Sequence, residues 1–190
     1  MSIEQLRNTT DILSFLDDDR QTRREMLSRL AATASVGVIG YLFSGKLTAV
    51  HGQAVDGDLG IMAAALYLEH EAIAAYQAGA ESKLLSDGVL KVAVAFQRDH
   101  KFHRDGLIAT IKQLGGEPLD AETKYSFGSL KSEKDILRLA RELEKGAVDA
   151  YATLAANIKN KDVLNYGAQV LTDEVRHLTV LNSVLGMPNY

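Results

Sequence analysis

The chain reads as one helical hairpin written twice. Residues 68–76, "LEHEAIAAY", align with residues 143–151, "LEKGAVDAY", at five of nine positions. Residues 99–107, "DHKFHRDGL", align with residues 173–181, "DEVRHLTVL", where Asp, His and Leu recur in place. The offset is 75 residues in the first pair and 74 in the second. Glu69 therefore corresponds to Glu144, Tyr76 to Tyr151, His103 to His177 and His100 to Glu174. The second helix of each unit also ends alike, in "LGGEP" and "LGMP". A supersecondary unit of this kind cannot bury its apolar face alone, so the two copies are expected to pack on each other.

Apolar periodicity predicts four helices, over about 59–84, 87–114, 132–158 and 161–185. No segment shows the strict apolar–polar alternation of a strand, so the fold class is all-α. Short polar breaks, "LLSDG" and "NIKNKD", make antiparallel neighbours of the first and second helices and of the third and fourth. Between the second and third lies "GGEPLDAETKYSFGSLKSE", interrupted by Pro118 and too long for a tight turn. Such a linker spans up to about 60 Å when extended, and a helix of 25 residues is about 38 Å long. The expected architecture is an antiparallel four-helix bundle of two helical hairpins joined by a long crossover.

Polar residues continue the apolar stripe of every helix. The first stripe is Met62, Leu66, Glu69, Ile73 and Tyr76, and the third is Leu137, Glu144, Val148 and Tyr151. The second is Val92, Phe96, His100, His103 and Leu107, and the fourth is Val170, Glu174, His177 and Leu181. Spacings of three and four put each set on the buried side. The interior then receives three carboxylates and three imidazoles at similar heights. Buried carboxylates must be neutralised or paired. A pair of divalent ions does this, and the oxygen and nitrogen donors suit Fe or Mn. A single Glu-x-x-His on a helix carries little weight, because most are surface pairs; the matched repeat supplies the weight here. Tyr76 and Tyr151 read as donors to the glutamates or as core packing. His70, Glu71 and Glu142 fall off the stripes and are expected in solvent.

The matched Glu, His and Tyr positions resemble the ferritin-like di-metal carboxylate superfamily, as in rubrerythrins and bacterioferritins, and in style the exported bacterial ferritin-like domain proteins. That pattern is a Glu from each of two helices and a Glu-x-x-His from each of the other two. The resemblance spans about residues 59–186. It implies that Glu69 and Glu144 are the single carboxylates and that Glu174 with His177 is one complete Glu-x-x-His. The second helix departs from the pattern, with His100-x-x-His103 in place of Glu-x-x-His and Asp99 as a rival for the inward position. An asymmetric centre is expected, one position richer in nitrogen. The implied metal set is Glu69, His100, His103, Glu144, Glu174 and His177.

The first fifty residues differ in kind. Arg23 and Arg24 precede a run from Leu30 to Gly45 without a charge, and then come Lys46 and the small residues Gly52 and Ala54. A helix of 16 residues is about 24 Å long, short against the roughly 30 Å hydrocarbon core. Residues 22–27, "TRREML", resemble a twin-arginine translocation signal with Met26 where Phe is usual. Residues 1–54 are thus expected to be an export signal, or a retained anchor or arm, and residues 55–190 the bundle. The expected location is periplasmic or exported, with membrane contact only through an uncleaved signal.

Residues 1–54 carry six basic and six acidic side chains, so the net charge of -4 resides in the remainder, which offers no basic footprint for nucleic acid. Cysteine is absent, which removes thiolate zinc sites, iron–sulfur centres, Cys nucleophiles and a fused rubredoxin centre. The resemblance implies two iron ions, manganese or a mixed pair, with O2 or peroxide as reaction partner, in ferroxidase- or peroxidase-type stress protection. The alternative is a non-enzymatic stress or assembly protein with a degenerate site. Homo-oligomerisation is left open.

Overall fold

The computed structural model describes residues 57–188. The expected export segment, with its arginine pair and apolar run, lies outside the described residues. The described chain forms α1 (Asp58–Glu81), α2 (Asp87–Gln113), α3 (Glu133–Ala155) and α4 (Lys161–Leu185). Two boundaries fall short of the periodicity: α1 stops before Leu84 because Lys83 takes a left-handed φ of 60°, and α3 gives way to a turn after Ala155. None of these helices is long and apolar enough to cross a membrane.

α1 pairs with α2 and α3 with α4, and α1 faces α3 across the bundle. The first residue of each hairpin ties down the loop of the other. Asp58 accepts the backbone N–H groups of Lys159 and Asn160 at 2.8 and 2.7 Å, and Glu133, its counterpart in the repeat, accepts that of Ser86 at 2.5 Å. These ties bring the start of α1 to the end of α3, and the start of α3 to the end of α1, so the two helices are antiparallel. Among the described helices, side-chain N-caps occur only in the second hairpin. Ser132 accepts from Asp135 N at the head of α3, and Asn160 accepts from Asp162 N and Val163 N at the head of α4.

Residues 114–132 form the long crossover, without helix or strand. It leaves α2 through Gly115, whose φ of 79° a larger residue rarely adopts. Leu119 then packs with Leu59 and Leu114 against the core. Its carbonyl accepts a hydrogen bond from His70 Nε2 at 3.1 Å. His70 is therefore half-buried under the crossover and not in solvent as expected. Glu71 is half-buried too, close enough that its charge adds to the burial raising the Tyr67 and Tyr125 hydroxyls. Glu142 is exposed, as expected, beside Arg141.

The core consists of two apolar layers. One holds Met62, Ala65 and Leu66 of α1, Leu107 and Ile111 of α2, Ala147 and Tyr151 of α3, and Val163 and Val170 of α4. The other holds Tyr76, Ala93, Phe96, Leu137, Ala140 and Leu181. On every helix the buried glutamates and histidines lie between those two sets. Val92 is an exception to the predicted stripes: it is 38% exposed, and Ala93 takes the core position beside it.

Small residues set how closely the helices approach. A Cβ at Gly106 of α2 would stand 2.1 Å from Tyr166 Oη and 2.5 Å from its Cζ, and that hydroxyl donates to the His103 carbonyl at 2.9 Å. Gly106→Ala is expected to destabilise the protein by about 1–3 kcal/mol, the usual cost of overpacking. Gly146 of α3 has nothing within 4 Å of such a Cβ, and Gly146→Ala should stabilise by about 0.5–1 kcal/mol. Urea unfolding of the two variants checks the pair; equal shifts would contradict this packing of α2 on α4.

Candidate metal centre

Between the apolar layers the four helices deliver Glu69 (α1), His100 and His103 (α2), Glu144 (α3), and Glu174 and His177 (α4). All six are buried, His103 the least at 6% and Glu174 and His177 at 0%. They fall into two sets whose donor atoms lie within 4.8 Å of one another: Glu69, His100, His103 and Glu174; and His100, Glu144, Glu174 and His177. Every residue of the sequence-predicted set is in one or both. Each set has two imidazoles and two carboxylates, an equal count where the sequence pattern predicts one position richer in nitrogen. The reason is that His100 belongs to both sets, as does its repeat counterpart Glu174.

The contacts around the layer come in reciprocal pairs. The Tyr76 hydroxyl of α1 donates to Glu144 Oε1 of α3, and the Tyr151 hydroxyl of α3 donates to Glu69 Oε1 of α1 at 2.7 Å. Likewise, His103 Nε2 of α2 bonds Asp173 Oδ2 of α4 at 3.2 Å, and His177 Nε2 of α4 bonds Asp99 Oδ2 of α2 at 3.4 Å. Arg176 reaches both aspartates at 3.0 Å. Asp99 thus holds His177 from outside and leaves the inward position to His100. Sequence reasoning missed Asp173 and Arg176 and weighed Asp99 only as a rival to His100 for the inward position. The recurrence of Asp in "DHKFH" and "DEVRH" was the available signal.

A ring nitrogen facing a carboxylate donates its N–H to it. The outward Nε2 bonds of His103 and His177 therefore leave each Nδ1 free to face the interior. His103 Nδ1 lies 3.2 Å from Glu174 Oε1 and His177 Nδ1 3.4 Å from Glu144 Oε2, yet neither pair is aligned as a hydrogen bond. Among the described residues, five fully buried side-chain atoms have no hydrogen-bond partner: His103 Nδ1, His177 Nδ1, Glu144 Oε2 and both oxygens of Glu174. An orphaned buried polar atom costs about 1–3 kcal/mol. Five in one layer, all lone-pair donors of types that bind transition metals, fit a bound cation.

The electrostatics point the same way. Burial alone would lower the His100 and His103 imidazoles. The carboxylates outweigh it: Glu144 and Glu69 hold His100 well above the ordinary range, and Glu174 and Glu69 push His103 up to about 10. Glu69 and Glu144 are held low against their burial, Glu69 by His100 and His103, Glu144 by His100 and His177. Glu174 is pushed up by burial and by the charge of Glu144. Without a metal, the layer balances its charge by gathering protons.

The tyrosine pair is testable on this geometry. Tyr76→Phe and Tyr151→Phe each strip the only hydroxyl from a fully buried carboxylate oxygen. Each is expected to cost about 1–3 kcal/mol in urea unfolding of the metal-free protein. The loss should be larger at Tyr151, because Glu144 Oε1 keeps His100 Nε2 at 3.2 Å when Tyr76 is removed, whereas Tyr151 is the only hydrogen-bond partner of Glu69 Oε1 among the described residues; a larger loss at Tyr76 would contradict this.

Residues 57–187 match the family model of the ferritin-like domain. No curated protein matches the chain. Among solved structures, the chain is similar to a conserved hypothetical protein from Mycobacterium tuberculosis, with 25% identity and a TM-score of 0.63 over 68% of this chain and 90% of that one. It is also similar in fold to the bacterioferritin-related protein of Bacteroides fragilis, described as a dodecameric thioferritin, with 20% identity and a TM-score of 0.58 over 68% and 84%.

Proposed function

The chain belongs to the ferritin-like domain family, and from that premise we propose that it holds two ions, of iron, manganese or both, and turns over O2 or peroxide in stress protection. The observation that carries the reading is the set of five buried donor atoms without hydrogen-bond partners. Such ions supply the electrons that reduction of O2 or peroxide requires, and a Lewis-acid position for the oxidant.

The chain's own residues do the rest. Glu69, Glu144 and Glu174 bring the negative charge that makes divalent ions welcome in a dry interior. Asp173 and Asp99 fix the tautomers of His103 and His177, so that both rings present a lone pair inward. Tyr76 and Tyr151 each hold one oxygen of Glu144 and Glu69, fixing how those carboxylates are turned. Phe96 stacks on His177 with ring centroids 3.9 Å apart and closes that flank. The apolar layers on either side exclude water from the reacting space.

A second reading rests on His100. Its two nitrogens already contact Glu69 Oε2 at 2.8 Å and Glu144 Oε1 at 3.2 Å, so the chain partly neutralises its own carboxylates. On that reading the bundle is a non-enzymatic stress or assembly protein. Metal content separates the two. Full-length protein loaded aerobically with Fe(II) or Mn(II) is expected to retain two ions per chain by elemental analysis. His177→Ala should lose at least one of them, and Asp99→Asn or Asp173→Asn should weaken retention by about 10–100-fold. Equal retention by wild type and His177→Ala, including none by either, would favour the second reading.

Export is a separate proposal and rests on Arg23 and Arg24. Replacing both by Lys is expected to keep the protein in the cytoplasm of a bacterial host. Fractionation showing unchanged periplasmic accumulation would refute it.

A further inference from the structure

We propose that His100 is a bridging ligand: its two ring nitrogens serve different metal ions, Nδ1 the one held by Glu69 and His103, Nε2 the one held by Glu144 and His177. The inference rests on the metal-holding reading above and specifies how the two positions are joined.

Its three histidines are not placed alike. His103 and His177 each turn Nε2 outward to an aspartate, Asp173 and Asp99, as a histidine with one metal-facing nitrogen does. Among the described residues His100 has no such outer partner. Its Nδ1 lies 2.8 Å from Glu69 Oε2 and 3.6 Å from Glu174 Oε1, and its Nε2 lies 3.2 Å from Glu144 Oε1. Both nitrogens thus face carboxylates of the centre, one in each donor set. The ring is 1% exposed. It lies edge-on to His103 and His177, at centroid distances of 5.8 and 5.3 Å.

The repeat supports the same assignment. His100 occupies the place that Glu174 occupies in the second hairpin, and these two are the residues shared by both donor sets. Glu174 can serve both ions because neither of its oxygens has a hydrogen-bond partner. Each ion then has two nitrogen and two oxygen donors, and each hairpin contributes one bridge. As the second N–metal bond forms, His100 gives up its remaining N–H proton to solvent; nothing is oxidised or reduced.

Bridge chemistry fixes the spacing. Ions joined only by carboxylates sit roughly 3.5–4 Å apart. The two nitrogens of an imidazole point away from each other. With metal–nitrogen bonds of about 2.0–2.1 Å, ions on both sides are roughly 6 Å apart. His100 therefore converts the close pair of the carboxylate pattern into a wider one.

The test is crystallographic and needs no turnover. Full-length wild type and His100→Glu are stripped with chelator, loaded with Co(II) or Mn(II), analysed for metal, and their ions located by anomalous diffraction. Wild type is expected to hold two ions about 6 Å apart, on opposite sides of the His100 ring. His100→Glu should bring them to roughly 3.5–4 Å. Two ions already at the shorter distance in wild type would overturn the bridge and leave the two-ion reading standing, whereas one ion per chain would overturn the bridge and the two-ion count together. No bound metal would overturn the bridge and the metal-holding reading alike. Should His100→Glu fail to fold, the ion positions in wild type alone decide the matter.

Discussion

Three carboxylates lie in one layer of a bundle interior, and the cost of putting them there governs the rest of the molecule. Unpaired carboxylates do not survive in a dry core. Tyrosine hydroxyls answer for one oxygen of Glu69 and one of Glu144, His100 answers for the other oxygen of Glu69, and the three remaining carboxylate oxygens have no hydrogen-bond partner among the described residues. The apolar layers above and below make the problem severe by removing water. They also make the centre useful, since charges act more strongly where water is excluded.

Neither hairpin meets this requirement by itself. The phenol that steadies the glutamate of α1 comes from α3, and that for α3 comes from α1. The aspartate that orients the histidine of α2 comes from α4, and that for α4 comes from α2. Even the loop ties cross between hairpins, through Asp58 and Glu133. Opening the interface between the hairpins therefore exposes the layer and breaks the tyrosine and aspartate contacts together, leaving His100 on Glu69 within the first hairpin, which couples integrity of the centre to that of the bundle.

Much of this was legible because helical spacing is a strong rule. Once Glu69, His100, His103, Glu144, Glu174 and His177 are placed on apolar stripes at spacings of three and four, burial and convergence follow. The repeat then supplies the register between hairpins. What failed was whatever depended on neighbours outside the helix carrying the residue. His70 is polar and off-stripe, and only the path of the crossover gives it Leu119 as a partner. Asp99 and Asp173 sit beside the stripe, where spacing alone does not separate a solvent-facing carboxylate from one that reaches across to a histidine. Val92 and Ala93 compete for one position, and the closeness of the helices decides for the smaller.

The reciprocity of the contacts also bears on ancestry and design. Because each half contributes the same kinds of groups in the same order, a single hairpin that associates with a copy of itself finds all its pairings in the partner. Two copies of the second hairpin would present two Glu-x-x-His motifs and two single glutamates, with a carboxylate in place of His100. In such a homodimer the twofold axis would be real, and both positions shared by the two donor sets would be carboxylates. Fusion of the two copies into one chain is what frees a single position to change without its symmetry mate. His100 opposite Glu174 is a substitution that only the joined form can carry on one side alone.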